Sequence, residues 1–273
     1  LTKDSDIVYH CAAIATEGLS VFSPTIIAKH VYENTAGILA GSATNGVGRF
    51  VFCSSMARYG TGDPPFREDQ PARPEDPYGI AKYAAELLTA NVCETHGIEH
   101  IIAVPHNIIG PKQKYDDPYR NVASIMINLM LQGRQPVIYG DGEQRRTFSF
   151  VQDCVDPLVK MGTMAGFNGA IINIGPDEET VTINQLARML AQILDFDLRP
   201  VYVEARPREV REAICSADKA RRLLGYETKV SLREGLQSIV DWVRANGPKP
   251  FDYHLPLEID SPMVPRTWRE HLI

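Results

Sequence analysis

Arg49-Phe-Val-Phe-Cys-Ser-Ser55 is the stretch on which the fold turns. Arg49–Cys53 is short, apolar and rich in aromatic or β-branched residues, so it reads as a buried strand, and it runs straight into two hydroxyls. Upstream, Asp6–Ala12 has the same character; downstream, His100–Val104 repeats it. Between the first two, Pro24–Asn45 has helical length, with proline near its start and Gly46 past its end. Asp63–Pro77 is too rich in proline to be other than loop, and Tyr78–Thr95 reads as a helix stopped by Gly97. Strand, helix, strand, helix, strand in this order predicts an α/β protein with right-handed crossovers and a doubly wound parallel sheet. Ser54 and Ser55 then stand at the C-terminal end of a strand, where such sheets bind ligands.

The second half is mixed. Val122–Gly133 and Thr182–Leu194 read as helices, and Thr147–Val151, Ala170–Ile174 and Pro200–Glu204 as strands. Thr182 with Gln185, and Ser231 with Glu234 ahead of Leu236–Ala245, have capping-box spacing, in which each side chain satisfies an orphan backbone N–H of the first turn. Ser216 opens a short helix that ends at Gly225. Asn246–Ile273 holds five prolines and little periodicity, which predicts a tail that wraps the surface or meets a partner.

With 273 residues, 44% of them apolar and 23% charged, the chain has room for one large or two modest domains with sizeable cores. A net charge of -6 argues against a nucleic-acid partner. The five cysteines are scattered and lack any CxxC spacing, which predicts reduced thiols in a cytoplasmic protein rather than disulfides or a metal site. No stretch approaches the roughly 20 apolar residues of a membrane span. The chain opens polar, without a signal peptide, and runs almost at once into an apolar strand, which predicts that its natural start lies further upstream.

Tyr78-Gly-Ile-Ala-Lys82 carries the chemistry. Four residues apart on a helix, phenol and ammonium share a face, and a neighbouring cation favours phenolate, a general base. The spacing alone is common, and a surface helix with packed aromatic and lysine stems would show it too. Context separates the readings. Ser55, then Tyr78 and Lys82, then Asn107 fall on successive strand-to-helix connections.

These pieces resemble the extended short-chain dehydrogenase/reductases, and within them the NAD-dependent nucleotide-sugar epimerases and dehydratases. The resemblance runs from residue 6 to about 245. It rests on Asp6-Ile-Val-Tyr-His-Cys-Ala-Ala13, Asn34-Thr-Ala-Gly37, Phe50–Ser55 with Tyr59-Gly60, Pro77–Lys82, Pro105-His-Asn107, Gly140–Phe148, Asn173-Ile-Gly175 and Arg206-Pro-Arg-Glu-Val210. It implies a Rossmann-like sheet, here without its N-terminal strands, and a smaller interleaved α/β substrate domain. Residues 1–110 and 146–178 would belong to the NAD-binding part, 111–145 and 179–245 to the substrate domain, and 246–273 to the tail.

The resemblance implies that Tyr78 is the base, that Lys82 tunes it and bonds the nicotinamide ribose, and that Ser55 holds the sugar hydroxyl being oxidised. Ala12, Ala13, Asn34, Ser54 and Pro105 would border the NAD. Asn107, Arg146 and Arg206 would clamp the diphosphate, for which guanidinium forks suit charge and geometry. Glu209 would partner a ribose or an arginine, and Asn121 and Val122 would border the nucleotide base. The reaction implied is C4 epimerisation of a UDP-sugar through a 4-keto intermediate, with no metal. Met56-Ala57 after Ser55 cannot supply the acid and base that a dehydratase needs. A ketone reductase would not need the arginines, and an inactive binding fragment is the remaining alternative. Val104 stands where many relatives carry arginine, a change of strand packing. The family's opening Gly-x-x-Gly-x-x-Gly loop, whose amides hold the pyrophosphate, does not occur in these residues. About three strands and two helices are therefore expected upstream, without which Asp6–Ala12 becomes an apolar, aggregation-prone sheet edge. Family precedent also implies a homodimer through helices 24–45 and 78–95.

Overall fold

In the computed structural model, which describes residues 2–273, four parallel strands form one sheet: β1 (Ile7–His10), β2 (Arg49–Cys53), β3 (Glu99–Pro105) and β4 (Ala170–Ile174). They lie side by side in that order, with His10 opposite Phe52, Cys53 opposite Ala103 and Pro105 opposite Ile174. β1 is an edge, and Tyr9 on it remains 39% exposed.

Side chains alternate across a strand, so β2 sends Phe50 and Phe52 to one face and Val51 and Cys53 to the other. Both faces are covered, as a parallel sheet requires. On the first face, Phe50 and Phe52 join Leu39, Ala85 and Cys93. Leu39 comes from α1 (Asn34–Thr44), which continues the helical run begun at Pro24 through a π-helical stretch, Ala28–Glu33; Ala85 and Cys93 come from α2 (Pro77–His96). On the second face, Val51, Cys53 and Ala103 meet Cys154 and Met161 of α3 (Val151–Thr163) and Ala220 and Leu224 of the helix Asp218–Leu224.

The later segments build a second core. Val122–Leu131, Ile183–Leu194 and Leu232–Asn246 pack together through Met126, Leu186, Leu190, Leu236 and Val240. Both expected capping boxes form. Small sheets flank this core: Val137–Tyr139 with Val201–Val203, and Arg145–Thr147 between Glu212–Ala213 and Thr180–Thr182.

Two expectations differ in detail. Thr147–Val151 is not one strand: Arg145–Thr147 and Ser149–Phe150 are separate short strands, and Val151 begins α3. Pro157 inside α3 interrupts the sequence pattern that would reveal the helix. Helix Asp218–Leu224 lies on the main sheet rather than in the core of the 179–245 segment. The tail does wrap the surface. Trp268 is buried against Phe22, Tyr119 and Tyr139, and the Glu258 carboxylate accepts from Thr25 N and Ile26 N at 2.8 and 3.0 Å. The five cysteines are free thiols. Among the described residues no helix is long and apolar enough to cross a membrane, and no three metal-ligating side chains cluster.

Candidate active site

The start of α2 sets the chemistry in place. Asp76 caps it, accepting from Gly79 N at 2.9 Å, and Pro77 occupies the first turn, where its missing N–H costs nothing. Tyr78 therefore lies in the first turn. A Cβ on Gly79 would stand 2.6 Å from the Ala57 carbonyl oxygen, so glycine lets α2 come up against the 3-10 turn Met56–Arg58. Ser55 opens that turn, its Oγ accepting from Ala57 N at 3.2 Å. The close approach brings the Ser55 hydroxyl near enough to the buried Tyr78 phenol to favour its ionised form.

Lys82 follows one turn later and is buried. Its Nζ donates to the Cys53 carbonyl at 2.7 Å, lies 5.0 Å from the centre of the Phe52 ring and 5.9 Å from that of Tyr78. The lysine is thus beside the tyrosine, yet the expected lowering of the phenol does not hold here. Burial pushes Tyr78 above its ordinary value and the Glu17 carboxylate adds to that, while Ser55 and Arg120 oppose it. The physical reason is that the ammonium is turned to the end of β2, and burial has lowered Lys82 itself to about 8.

An open cavity of about 60 Å³ lies next to this pair, lined by the chain neighbours of Ser55 and Tyr78 rather than by Ser55, Tyr78 or Lys82 themselves. Met56, Ala57 and Asp76, the neighbours of Ser55 and Tyr78, form one wall; Asn107, Arg146 and Arg206 form another. Asn107 has φ +41° and donates through Nδ2 to the Thr147 carbonyl at 2.9 Å. Arg146 donates to the carbonyl oxygens of Val210 (2.7 Å) and Arg211 (3.2 Å) and lies 3.7 Å from Glu209. Arg206 pairs with Glu209 at 2.7 Å and rests over the Tyr139 ring at 4.9 Å. Glu209 therefore serves the arginines, which hold two guanidinium groups at one cavity wall.

Other expected site residues fall elsewhere. The Ser54 hydroxyl turns inward and donates to Glu86, which pairs with Arg58. Asn121 caps the helix beginning at Val122, its Oδ1 accepting from Ala123 N at 3.0 Å, and Val122 packs on the second core; neither lines the cavity. Asn34 is exposed, with only a long bond to the His30 carbonyl of its own helix. Ala12 is exposed just past β1, and Ala13 is half-buried near Tyr78. Pro105 ends β3, half-buried. Sequence reasoning missed Glu17, Gly18 and Tyr139. Glu17 and Gly18 lie in a four-residue helix, Glu17–Ser20, too short to show a period.

Residues 1–175 match the model of the NAD dependent epimerase/dehydratase family. The chain is 30% identical to a UDP-glucose 4-epimerase of Mycolicibacterium smegmatis, over 88% of this chain and 76% of that one. Among solved structures, the UDP-glucose 4-epimerase of Thermotoga maritima with UDP-glucose aligns at 34% identity and a TM-score of 0.81, over 88% of this chain and 78% of that one. The UDP-glucuronic acid 4-epimerase of Bacillus cereus, in complex with UDP-glucuronic acid and NAD, aligns at 27% identity and a TM-score of 0.83, over 89% and 76%. The parallel sheet, the hydroxyl-bearing strand end, the match over residues 1–175 and these likenesses agree: the chain belongs to the NAD dependent epimerase/dehydratase family, an enzyme family whose cofactor is NAD.

Proposed function

We propose that this chain epimerises a nucleotide-diphosphate sugar at C4, with uridine as the nucleoside. The observation that carries the reading is that one cavity is lined both by Met56, Ala57 and Asp76, the chain neighbours of Ser55 and Tyr78, and by Arg146, Arg206 and Asn107. A diphosphate held by the arginines would present its sugar toward the phenol.

The chain's own residues fit a dinucleotide. Lys82 places a buried ammonium at the end of β2, and past β1 Ala12 and Ala13 carry nothing larger than a methyl group, which leaves their backbone approachable. Tyr78 and Lys82 would hold the nicotinamide ribose, and Ala12, Ala13 and Pro105 would border the rest. NAD, when bound there, would supply the hydride acceptor and donor for C4.

Tyr78 takes the O4 proton as phenolate and gives it back as phenol. Ser55 holds O4 in place. Lys82 keeps a buried ammonium 5.9 Å from the centre of the Tyr78 ring. Arg146 and Arg206 keep the diphosphate while the keto sugar turns about it, and Glu209 orients both guanidinium groups. Met56 and Ala57 beside Ser55 provide neither acid nor base, so elimination of water is not supported. A ketone reductase would leave the paired arginines without a task.

The same reading divides the chain as 1–110 with 146–178, and 111–145 with 179–245, except that Asp218–Leu224 joins the cofactor part because it packs on the main sheet. Free thiols at all five cysteines support a reducing compartment, the cytoplasm. Tyr78→Phe in the complete protein should lower the epimerisation rate by about a hundredfold or more and leave the circular-dichroism spectrum unchanged. A rate equal to wild type would remove Tyr78 as the base and the proposal with it.

A further inference from the structure

We infer that Glu17 determines sugar specificity, admitting a hexose that carries no carboxylate and rejecting its uronic acid. The inference rests on the reading of the cavity as a nucleotide-sugar site.

Glu17 is fixed from both sides. The Ser20 hydroxyl donates to the Glu17 carbonyl at 2.6 Å and lies 3.2 Å from the Asp76 carboxylate that caps α2, which ties this turn to the Tyr78 end of the cavity. On the other side, a Cβ on the next residue, Gly18, would stand 3.1 Å from Arg206 Nη1, so glycine there lets the diphosphate arginine come close. Glu17 lines the cavity between these ends and acts electrostatically on both: its charge bears on Tyr78, and those of Arg146 and Arg206 bear on it. A sugar joining diphosphate to phenol passes this carboxylate.

Among the described residues the Glu17 carboxylate has no hydrogen bond and no ion pair, whereas both arginines are already engaged by Glu209. Its side chain is open to the cavity yet walled by protein, and burial with the nearby Asp76 charge pushes its carboxyl up to about 7. Ionised, it accepts from a sugar hydroxyl; protonated, it donates to one. Ionised, Glu17 finds no donor on a uronate's carboxylate, which adds a further negative group beside Glu17 and Asp76. Two like charges a few ångströms apart under partial screening change a binding constant by about tenfold or more.

The test uses the complete protein with NAD and measures equilibrium binding of UDP-glucose and UDP-glucuronic acid by calorimetry at a pH about one unit above that value, where Glu17 is ionised. Wild type should bind UDP-glucose tighter by about tenfold, and Glu17→Gln should erase that preference, shifting the ratio of the two constants by about tenfold. Glu17→Val, which also removes the charge, should give the same shift. An unchanged ratio in both variants, or an equal loss for both sugars, overturns the role of Glu17 and leaves the site reading standing. If wild type binds neither sugar nucleotide, the site reading itself falls.

Discussion

Lys82 illustrates how a site residue can oppose the fold that holds it. Its ordinary value of 10.5 drops to about 8 in the folded chain, with burial as the leading cause. Between those two values the unfolded chain binds more protons than the folded one, so stability rises with pH across that window and the full cost stands below it. At about 1.4 kcal/mol per unit, the cost at neutral pH is about 3 kcal/mol, set against about 1 kcal/mol from the bond to the Cys53 carbonyl. Lys82→Met should therefore raise the melting temperature at pH 7 by a few degrees while abolishing turnover, and the gain should shrink as pH climbs from 8 towards 10.5. A melting temperature at pH 7 equal to or below that of wild type would refute this. At this scale the spacing of Tyr78 and Lys82 was legible in the sequence itself, whereas Arg146 and Arg206 stood out from surface charges only through the family resemblance. Ser54 could have been placed from strand alternation alone: it shares the face of Phe50 and Phe52, which looks toward α2 and Glu86. Glu17 offered no such handle, because nothing periodic surrounds it.

Among the elements, α2 has two different faces. Its inner face carries Tyr78, Lys82, Ala85 and Cys93 against the sheet and the 3-10 turn. Its outer face leaves Ile80 54% and Leu87 56% exposed, and Tyr32 on the neighbouring helical run is 41% exposed. We propose that a second copy covers these side chains, pairing the 24–45 and 78–95 helices of two protomers into a four-helix bundle. Leu87→Glu would then bury an uncompensated charge, and the dimer should weaken by about two orders of magnitude in light scattering behind size exclusion. A wild-type monomer at tens of micromolar, or a variant that stays dimeric, would exclude this pairing. The alternation of β2 and the capped start of α2 could be read from the sequence because local rules govern them. The two- and three-residue strands around Arg145–Thr147 could not, since they exist only through partners at residues 180–182 and 212–213.

Across the whole molecule, the tail links the far end of the chain to the arginines that line the cavity. Its residues have no periodicity, yet Trp268 is 1% exposed and fills a pocket between Phe22, Tyr119 and Tyr139. The Tyr139 hydroxyl lies 2.6 Å from the Thr267 hydroxyl, and the Tyr139 ring carries Arg206. Trp268 also stands 3.1 Å from where a Cβ on Gly18 would be, so the same indole backs the turn that holds Glu17. Truncating a buried tryptophan costs about 3–5 kcal/mol, which for a chain of this size lowers the melting temperature by about 10 °C. If the tail only stapled the fold, that loss would be the whole effect. Because it also braces Tyr139 and Gly18, Trp268→Ala should weaken UDP-sugar binding by about tenfold at temperatures well below the transition, with Trp268→Phe in between. Binding unchanged in Trp268→Ala at 15 °C, alongside the lowered melting temperature, would reduce the tail to a staple and separate it from the site.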